Sequence, residues 1–385
     1  MSKIKVNRLE NTSTANGGID IDTDGHVQFD GLQMPTAGAL SNRNLIMNGA
    51  MQVAQRGTSA TPTGGGYFTV DRFSFRNQNN YMNDVASTYA QVEEAPAGFK
   101  YSQKVTIGTG TNPTSTDNLW LQQSIEGNNC SHLGFGTASA QTFTLSFWVR
   151  ASIAGDYDLV FQNGGQNRYY VTQYTIDTAN TWEYKTITVS GDTSGTWTTD
   201  NGLGLAVYFV FTISSTSSFA TSTLDTWGTG DFRGSTTCTA LGATTGATFQ
   251  ITGVQLEVGS KATPFEHESY AQTLAKCQRY RYQIDLGNES NVQHIPMMRF
   301  EASSGTAYAN LTFPCEMRSD PNFTFTGTTR SATGFAGNPV LNMASKTSAD
   351  IKSTRSVSTN STVFLRAIDS SSGNDVLVLN FDAEL

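Results

Sequence analysis

The sequence predicts an all-β protein, and three observations carry that expectation. Short apolar alternations of period two recur between Asn44 and Lys261 and again after Ile284. Turn residues separate them, as in Asn163-Gly164-Gly165, Gly191-Asp192 and Asp200-Asn201-Gly202. Only 15 % of the residues are charged, while the chain carries 36 Gly and 11 % aromatics, a mixture that favours strands and turns over long helices. With 385 residues there is ample chain for a full hydrophobic core and more than one domain.

Residues 1–45 hold too few large apolar side chains for a core of their own. They show short alternations, Ile19 and Ile21 and then Val27 and Phe29, around the turn pair Asp24-Gly25. Such a segment folds only by pairing with something else. Asp20, Asp22, Asp24 and Gly25 also imitate the opening of a calcium loop, but the twelfth position is Gly31 where a bidentate Glu is needed, so a hairpin is the expectation.

From Asn44 to Lys261 the strand signals follow one another, marking a domain at residues 46–262. They include Leu45 to Met47, Phe73 and Phe75, Val105 and Ile107, Leu119 to Leu121, Phe143 to Val149, Tyr169 to Val171, Trp182 to Val189, Leu203 to Ile213 and Phe249 to Val258. So many short strands without a long helical run predict an antiparallel β-sandwich of jelly-roll type, its first and last strands side by side. Parity assigns faces. Phe143, Leu145, Phe147 and Val149 point inward, as do Leu119, Leu121 and Ile125, and Leu205, Val207, Phe209 and Phe211. The last strand changes parity at Gly253, the mark of a bulge.

Residues 263–283 form a joint, with a break at Pro264 and helical spacing from Ser269 through Tyr270, Leu274, Cys277 and Arg281. Residues 284–385 return to β alternation and predict a second, smaller sandwich.

The net charge of −8 and the absence of a basic stripe argue against nucleic-acid or anionic-membrane partners. No secretion signal is expected from MSKIKVNRLENT, and the longest apolar run, Leu203 to Ile213, is too short to span a bilayer. Cys130, Cys238, Cys277 and Cys315 form no CxxC and are expected as buried free thiols, without a metal or cofactor.

Catalytic patterns are sparse. Glu266-His267-Glu268 is the densest acid–base group, but neighbours on an extended chain point to opposite sides, so an acidic lead-in to the helix is expected there. Glycoside hydrolysis needs two carboxyls; the sequence offers Asp156 with Asp158 and Glu93 with Glu94, but nothing singles out either pair, and Gly155 suggests a solvated loop around the first. No catalytic residue is assigned. Saccharide binding fits the residues better. If their strands share one sheet, Trp120, Gln122, Trp148, Arg150 and Tyr208 line one outer surface, and the loop aromatics Tyr157, Trp197 and Trp227 extend it. Burial under a long loop or a neighbouring subunit accounts for the same rings.

The run NLIMNGAMQVAQRGTS from Asn44 to Ser59, followed by Asp71-Arg72-Phe73, resembles the opening motif of tail fibres and related receptor-binding proteins of tailed bacteriophages. Further matches are SFWVRA at Ser146–Ala151, the segment from Thr181 to Trp197, VQLEVGSKATPFE at Val254–Glu266, Cys277-Gln278-Arg279-Tyr280, FPCEMRSDP at Phe313–Pro321 and the closing Asp382-Ala383-Glu384-Leu385. The jelly-roll part is also similar to carbohydrate-binding modules that hold calcium through acidic residues of their first and last strands. The matching positions here are Ala50, Gln52 and Thr252, so the resemblance implies the fold without the metal.

The phage resemblance implies a virion protein assembled in the host cytoplasm. It further implies a homotrimer that docks on other virion proteins of the tail or head through residues 1–45 and binds host-surface polysaccharide. Two other roles are a glycan-cleaving tailspike depolymerase, which usually shows a repeating β-helix, and a purely architectural head fibre or decoration subunit.

Overall fold

The computed structural model describes residues 41–285 continuously, together with 8–10, 18–21, 27–29, 32–34, 295–296, 299–301, 306–326, 340–354, 364–365 and 378–385. The protein is all-β, with strands throughout and one helix longer than four residues among the described residues, Tyr270–Gln278. Its contacts divide it into Met1–Tyr270 and Ala271–Leu385.

The first unit is built on two facing antiparallel sheets. In spatial order the first contains Trp227–Thr229, Arg168–Ile176, Gly155–Asn163, Leu203–Ile213, Asn118–Glu126, Phe73–Gln78 and Gly66–Tyr67. The second contains Glu183–Val189, Phe143–Ala151, Thr248–Val258, Ser102–Thr106, Thr88–Val92 and Ser59–Ala60. Between them the inward residues fill one core. Leu119, Leu121, Ile125, Leu205, Val207, Phe209 and Phe211 come from the first sheet, and Phe143, Leu145, Phe147, Val149, Phe249 and Ile251 from the second. Period-two parity had placed the faces of the 119–125, 143–149 and 205–211 strands correctly.

The bulge at Gly253 is present. Gly253 has φ of +61°, and the register against the 143–151 strand shifts between Ser146 and Trp148. Beyond it Val254 and Leu256 return to the core, as expected of a bulged strand. Leu45 to Met47 is not a strand. It belongs to a turn-rich segment fastened along the bulged strand by Leu45 N–H to the Leu256 carbonyl and Val254 N–H to the Gly49 carbonyl. The Asn residues of the NLIMNG run act here as backbone substitutes. Asn44 Nδ2 donates to the Val254 carbonyl while its Oδ1 accepts from Ile46 and Leu256, and Asn48 Nδ2 donates to the carbonyls of Val53 and Asp71. A Cβ on Gly49 would lie 2.1 Å from the Val254 carbonyl oxygen, so only glycine admits this approach.

A correction concerns Gly155–Asn163. It is a central strand of the first sheet and not a solvated loop, with Tyr157, Leu159 and Phe161 in the core and Asp158 fully buried on the other face. The acidic pair masked a regular alternation.

Four short strands, Arg8–Glu10, Gly18–Ile21, Val27–Phe29 and Leu32–Gln33, form an antiparallel meander. Ile19 pairs with Phe29 as the hairpin expectation requires, while its turn, including Asp22, Asp24 and Gly25, and the Gly31 position lie outside the described residues.

In the second unit the helix leads into Arg281–Asp285, which joins Val378–Asp382 and Asn322–Thr326 in one sheet. Arg299–Glu301, Thr306–Thr312, Ser348–Thr354 and Val340–Ala344 form another. Ala309, Phe313, Met317, Ile351, Leu379 and Phe381 make a separate core. Cys130 and Cys277 are buried, Cys238 and Cys315 half-buried, and all four are free thiols.

Candidate functional site

The expected single surface does not exist, because its residues sit on two different sheets. Trp120, Gln122 and Tyr208 occupy the outer face of the first sheet, Trp148 and Arg150 that of the second, with the core between them.

The first face is sealed. Residues 214–240 run across it as a strap, anchored by pairing of Trp227–Thr229 with the 168–176 strand and folded on itself through the short parallel pair Ala220–Thr221 with Gly234–Ser235. Beneath it Trp120 is 5 % exposed and Tyr208 2 %, packed with Val160, Tyr169, Val171 and Val210 against Phe219, Leu224 and Phe232 of the strap. The Arg233 guanidinium lies 4.2 Å from the Phe219 ring centre and 5.6 Å from that of Trp120. Gln122, which has the hydrogen-bonding groups a sugar would use, is spent internally: its Oε1 accepts from Trp120 Nε1 and its Nε2 donates to Ser124. The Tyr208 hydroxyl donates to Gln162. No ligand reaches these groups without displacement of the strap.

Asp158 is the strap's polar anchor. Its carboxylate accepts from the Ser235 N–H, the Ser235 hydroxyl and the Gln173 amide. Burial raises its pKa, and these three donors only partly offset the effect. Asp156, two residues earlier, is exposed and bonded to Thr175, so the two carboxyls serve separate contacts.

The other aromatic candidates are structural as well. Tyr157 is fully buried in the core and donates to the Ile153 carbonyl. Trp197 and Trp227 are half-buried, 5.6 Å apart between ring centres and nearly perpendicular, and they pack against Phe135 and Tyr170 at the rim of the core. Their indole N–H groups donate to the carbonyls of Ser194 and Ser190.

The outer face of the second sheet is only partly covered. Residues 93–101 and 259–268 close one side of it, through the Thr252 hydroxyl to the Tyr101 carbonyl, Thr263 to Glu257, and contacts among Phe99, Phe265 and His267. The other side stays open. Trp148 pairs in register with Tyr184 on the neighbouring strand, their ring centres 5.3 Å apart at 48°, and Tyr184 is 44 % exposed. Beside them lies a polar group centred on Glu94. Its Oε2 meets Arg150 at 3.4 Å, Lys104 at 3.5 Å and the Gln250 amide at 3.1 Å. The Gln250 hydrogen bond and the Lys104 charge hold the Glu94 carboxyl below its ordinary pKa. Arg150 is further fixed by its Nε donating to the Asn180 carbonyl. The face therefore offers two adjacent rings and, next to them, fixed donors and acceptors. Tyr184, Gln250 and Lys104 were missed as site residues. Tyr184 was recoverable from its parity with Thr186 and Thr188, but the pairing of its strand beside Trp148 was not.

Glu266-His267-Glu268 has a structural role. The Glu266 carboxylate accepts from three successive backbone N–H groups, Asn42 at 2.6 Å, Arg43 at 2.7 Å and Asn44 at 3.1 Å, closing a clasp between the start and the end of the jelly roll. Partial burial pushes its pKa up, but the Asn44, Asn42 and Arg43 donors outweigh that and set it below the ordinary Glu value. A carboxyl with a depressed folded pKa contributes stability above its unfolded pKa and loses it as pH falls through the folded value. Glu266→Gln is accordingly expected to lower stability by about 1–2 kcal/mol near neutral pH, with the gap to wild type closing in acid. Thermal melts of both chains at about pH 7 and about pH 4 check this; an equal gap at both would refute the clasp.

Among the described residues no three His, Cys, Asp or Glu side chains converge in a way that would hold a metal ion, and no helix is long and apolar enough to cross a membrane.

No family model and no curated protein matches the chain. Solved structures with partial likeness include a family 61 carbohydrate-binding module in complex with β-1,4-galactotriose, at 10 % identity over 56 % of this chain and 99 % of the module, TM-score 0.28. A C-terminal family 22 module from a Clostridium thermocellum xylanase gives 11 % identity over 59 % of this chain and 99 % of its own, TM-score 0.27. A family 11 module of a Clostridium thermocellum cellulosomal cellulase gives 12 % over 58 % and 97 %, TM-score 0.24. Superpositions at that level do not assign a family.

Proposed function

We propose that this chain is a non-catalytic saccharide-binding protein whose contact surface is the Trp148–Tyr184 face of the second sheet. The observation that carries the reading is the half-buried Trp148 ring beside the exposed Tyr184 ring, bordered by Arg150, Glu94, Gln250 and Lys104. A pyranose has an apolar C–H face that lies on such rings and a rim of hydroxyls that need donors and acceptors in fixed positions. Hydrogen-bonded neighbours hold the Arg150 and Glu94 heads in place before a ligand arrives, which limits the ordering cost of binding.

The biological setting we infer is a bacteriophage tail fibre or adhesin. Residues 1–45 attach to the particle, the chain assembles as a homotrimer, and the jelly roll contacts polysaccharide on the host. The likeness of Asn44–Ser59 and of the later segments to phage receptor-binding proteins supports this, as does the short-stranded meander of residues 8–33, which has little core of its own. Antibody labelling of intact particles and mass photometry of the purified chain test the location and the trimer.

The site has its own test. Trp148→Ala with Tyr184→Ala should reduce binding on a polysaccharide array by at least about tenfold, as expected when an aromatic anchor is truncated. Neither side chain belongs to the core, so the double variant should still fold, which a thermal melt checks. Unchanged array binding by a folded double variant would remove this face as the receptor site.

A further inference from the structure

The second unit carries an open groove of about 510 Å³ on the outer face of its four-stranded sheet, lined chiefly by Tyr308, Asn310, Met343, Ser345, Ser348 and Asp350. The register explains the grouping. Asn310 pairs with Asp350 and Tyr308 with Lys352, while their neighbours Ala309, Ile351 and Ala349 turn to the opposite face and form the core. Met343 stands against Asp350 across a bulge at the edge of the sheet and is 70 % exposed. The Asn342 amide donates to Asp350 Oδ2 at 2.9 Å, which orients the carboxylate.

We infer that this groove is a second saccharide site, distinct from the jelly-roll face, and that it takes a neutral sugar. Its chemistry is paired in the way a pyranose requires. The Tyr308 ring and the Met343 thioether offer an apolar bed for the C–H face, and the Asn310 amide, the Asp350 carboxylate and the Ser345 and Ser348 hydroxyls surround it with hydrogen-bonding groups for the hydroxyl rim. The volume falls in the range of small-ligand sites, about 300–1,000 Å³. Charge selects the class. Asp350 is the ionisable carboxylate lining the groove, which disfavours an acidic sugar there, while Lys352, paired with Tyr308 on the same face, is not among the lining residues.

The test uses the full chain and a panel of neutral tetrasaccharides, β-1,4-linked glucose, galactose and mannose and α-1,4-linked glucose, with tetragalacturonate as the acidic comparison, titrated by calorimetry. In the Trp148→Ala, Tyr184→Ala background the chain should still bind at least one neutral tetramer, and adding Tyr308→Ala should weaken that binding by at least about tenfold. Asp350→Asn, nearly isosteric, should weaken it about fivefold or more and serves as the readout if Tyr308→Ala melts early. Binding by no panel member, binding indifferent to both variants, or tetragalacturonate bound as tightly as the neutral sugars would each overturn the inference. The two sites fail separately. Loss on Tyr308→Ala with none on Trp148→Ala and Tyr184→Ala keeps the groove and rejects the jelly-roll face, and the reverse pattern does the opposite.

Discussion

Trp120→Ala is expected to destabilise the jelly roll by about 3–5 kcal/mol and to leave saccharide affinity of the folded protein unchanged. The indole is almost wholly enclosed between the outer face of the first sheet and the strap, 5.5 Å from Tyr208 between ring centres and beneath Arg233. Its removal leaves a cavity that the two packed layers cannot close without unpairing the strap, so the lost transfer free energy and the cost of the cavity add. Urea unfolding measures the first part, and array binding at a temperature where the variant is folded measures the second. A stable variant with reduced binding would reverse the roles assigned to the two faces. The contrast with Trp148 makes the prediction sharp, because the two tryptophans share a residue type and an outward parity, yet one is packing and the other reaches solvent.

Asp158→Ala should be nearly as costly, about 3 kcal/mol, because it strands the Ser235 N–H, the Ser235 hydroxyl and the Gln173 amide without their common acceptor. The loss should be local first, with faster proteolysis and amide exchange in residues 214–240 than elsewhere. Asp158→Asn should differ. Burial raises the carboxyl pKa, so the folded chain already favours the uncharged form more than the unfolded chain does. The sign is therefore opposite to that of Glu266: the wild-type contribution is fully present below the unfolded Asp pKa and is lost as pH rises through the raised folded value. Near neutral pH the amide variant should lie within about 1 kcal/mol of wild type or above it, because Ser235 and Gln173 can reorient toward an amide. Denaturant midpoints of wild type, Ala and Asn variants across acid and neutral pH decide it. An Asn variant as unstable as the Ala variant would show that the strap needs the charge itself.

The candidate site was half legible in the sequence. Strand parity put Trp148 and Arg150 outward, and the structure agrees. Parity is a property of one strand, however, and carries no information about which sheet that strand joins. Trp120 and Trp148 were thus grouped on one surface although the core separates them. Glu94 was visible only as half of an acidic pair; its meeting with Arg150, Lys104 and Gln250 spans up to 156 residues of chain. The strap left no local signature either, because a Ser- and Thr-rich segment with scattered Phe and Trp reads the same whether it waves in solvent or lies on a sheet.

The sequence by itself determined the all-β class, the inward faces of the major strands, the bulge at Gly253 and the short helix beginning at Tyr270, since these follow from period, glycine placement and residue type over a few neighbouring positions. Tertiary structure alone decided which aromatic residues reach solvent. Exposure is set by what crosses a face, and the crossing elements, residues 214–240 over one sheet and 93–101 with 259–268 over the other, are held by Asp158, Glu257 and Glu266 through contacts remote in the chain. Long-range hydrogen bonds of that kind obey no period, so their outcome, an enclosed Trp120 and a half-buried Trp148 beside an exposed Tyr184, becomes readable only once the chain is folded.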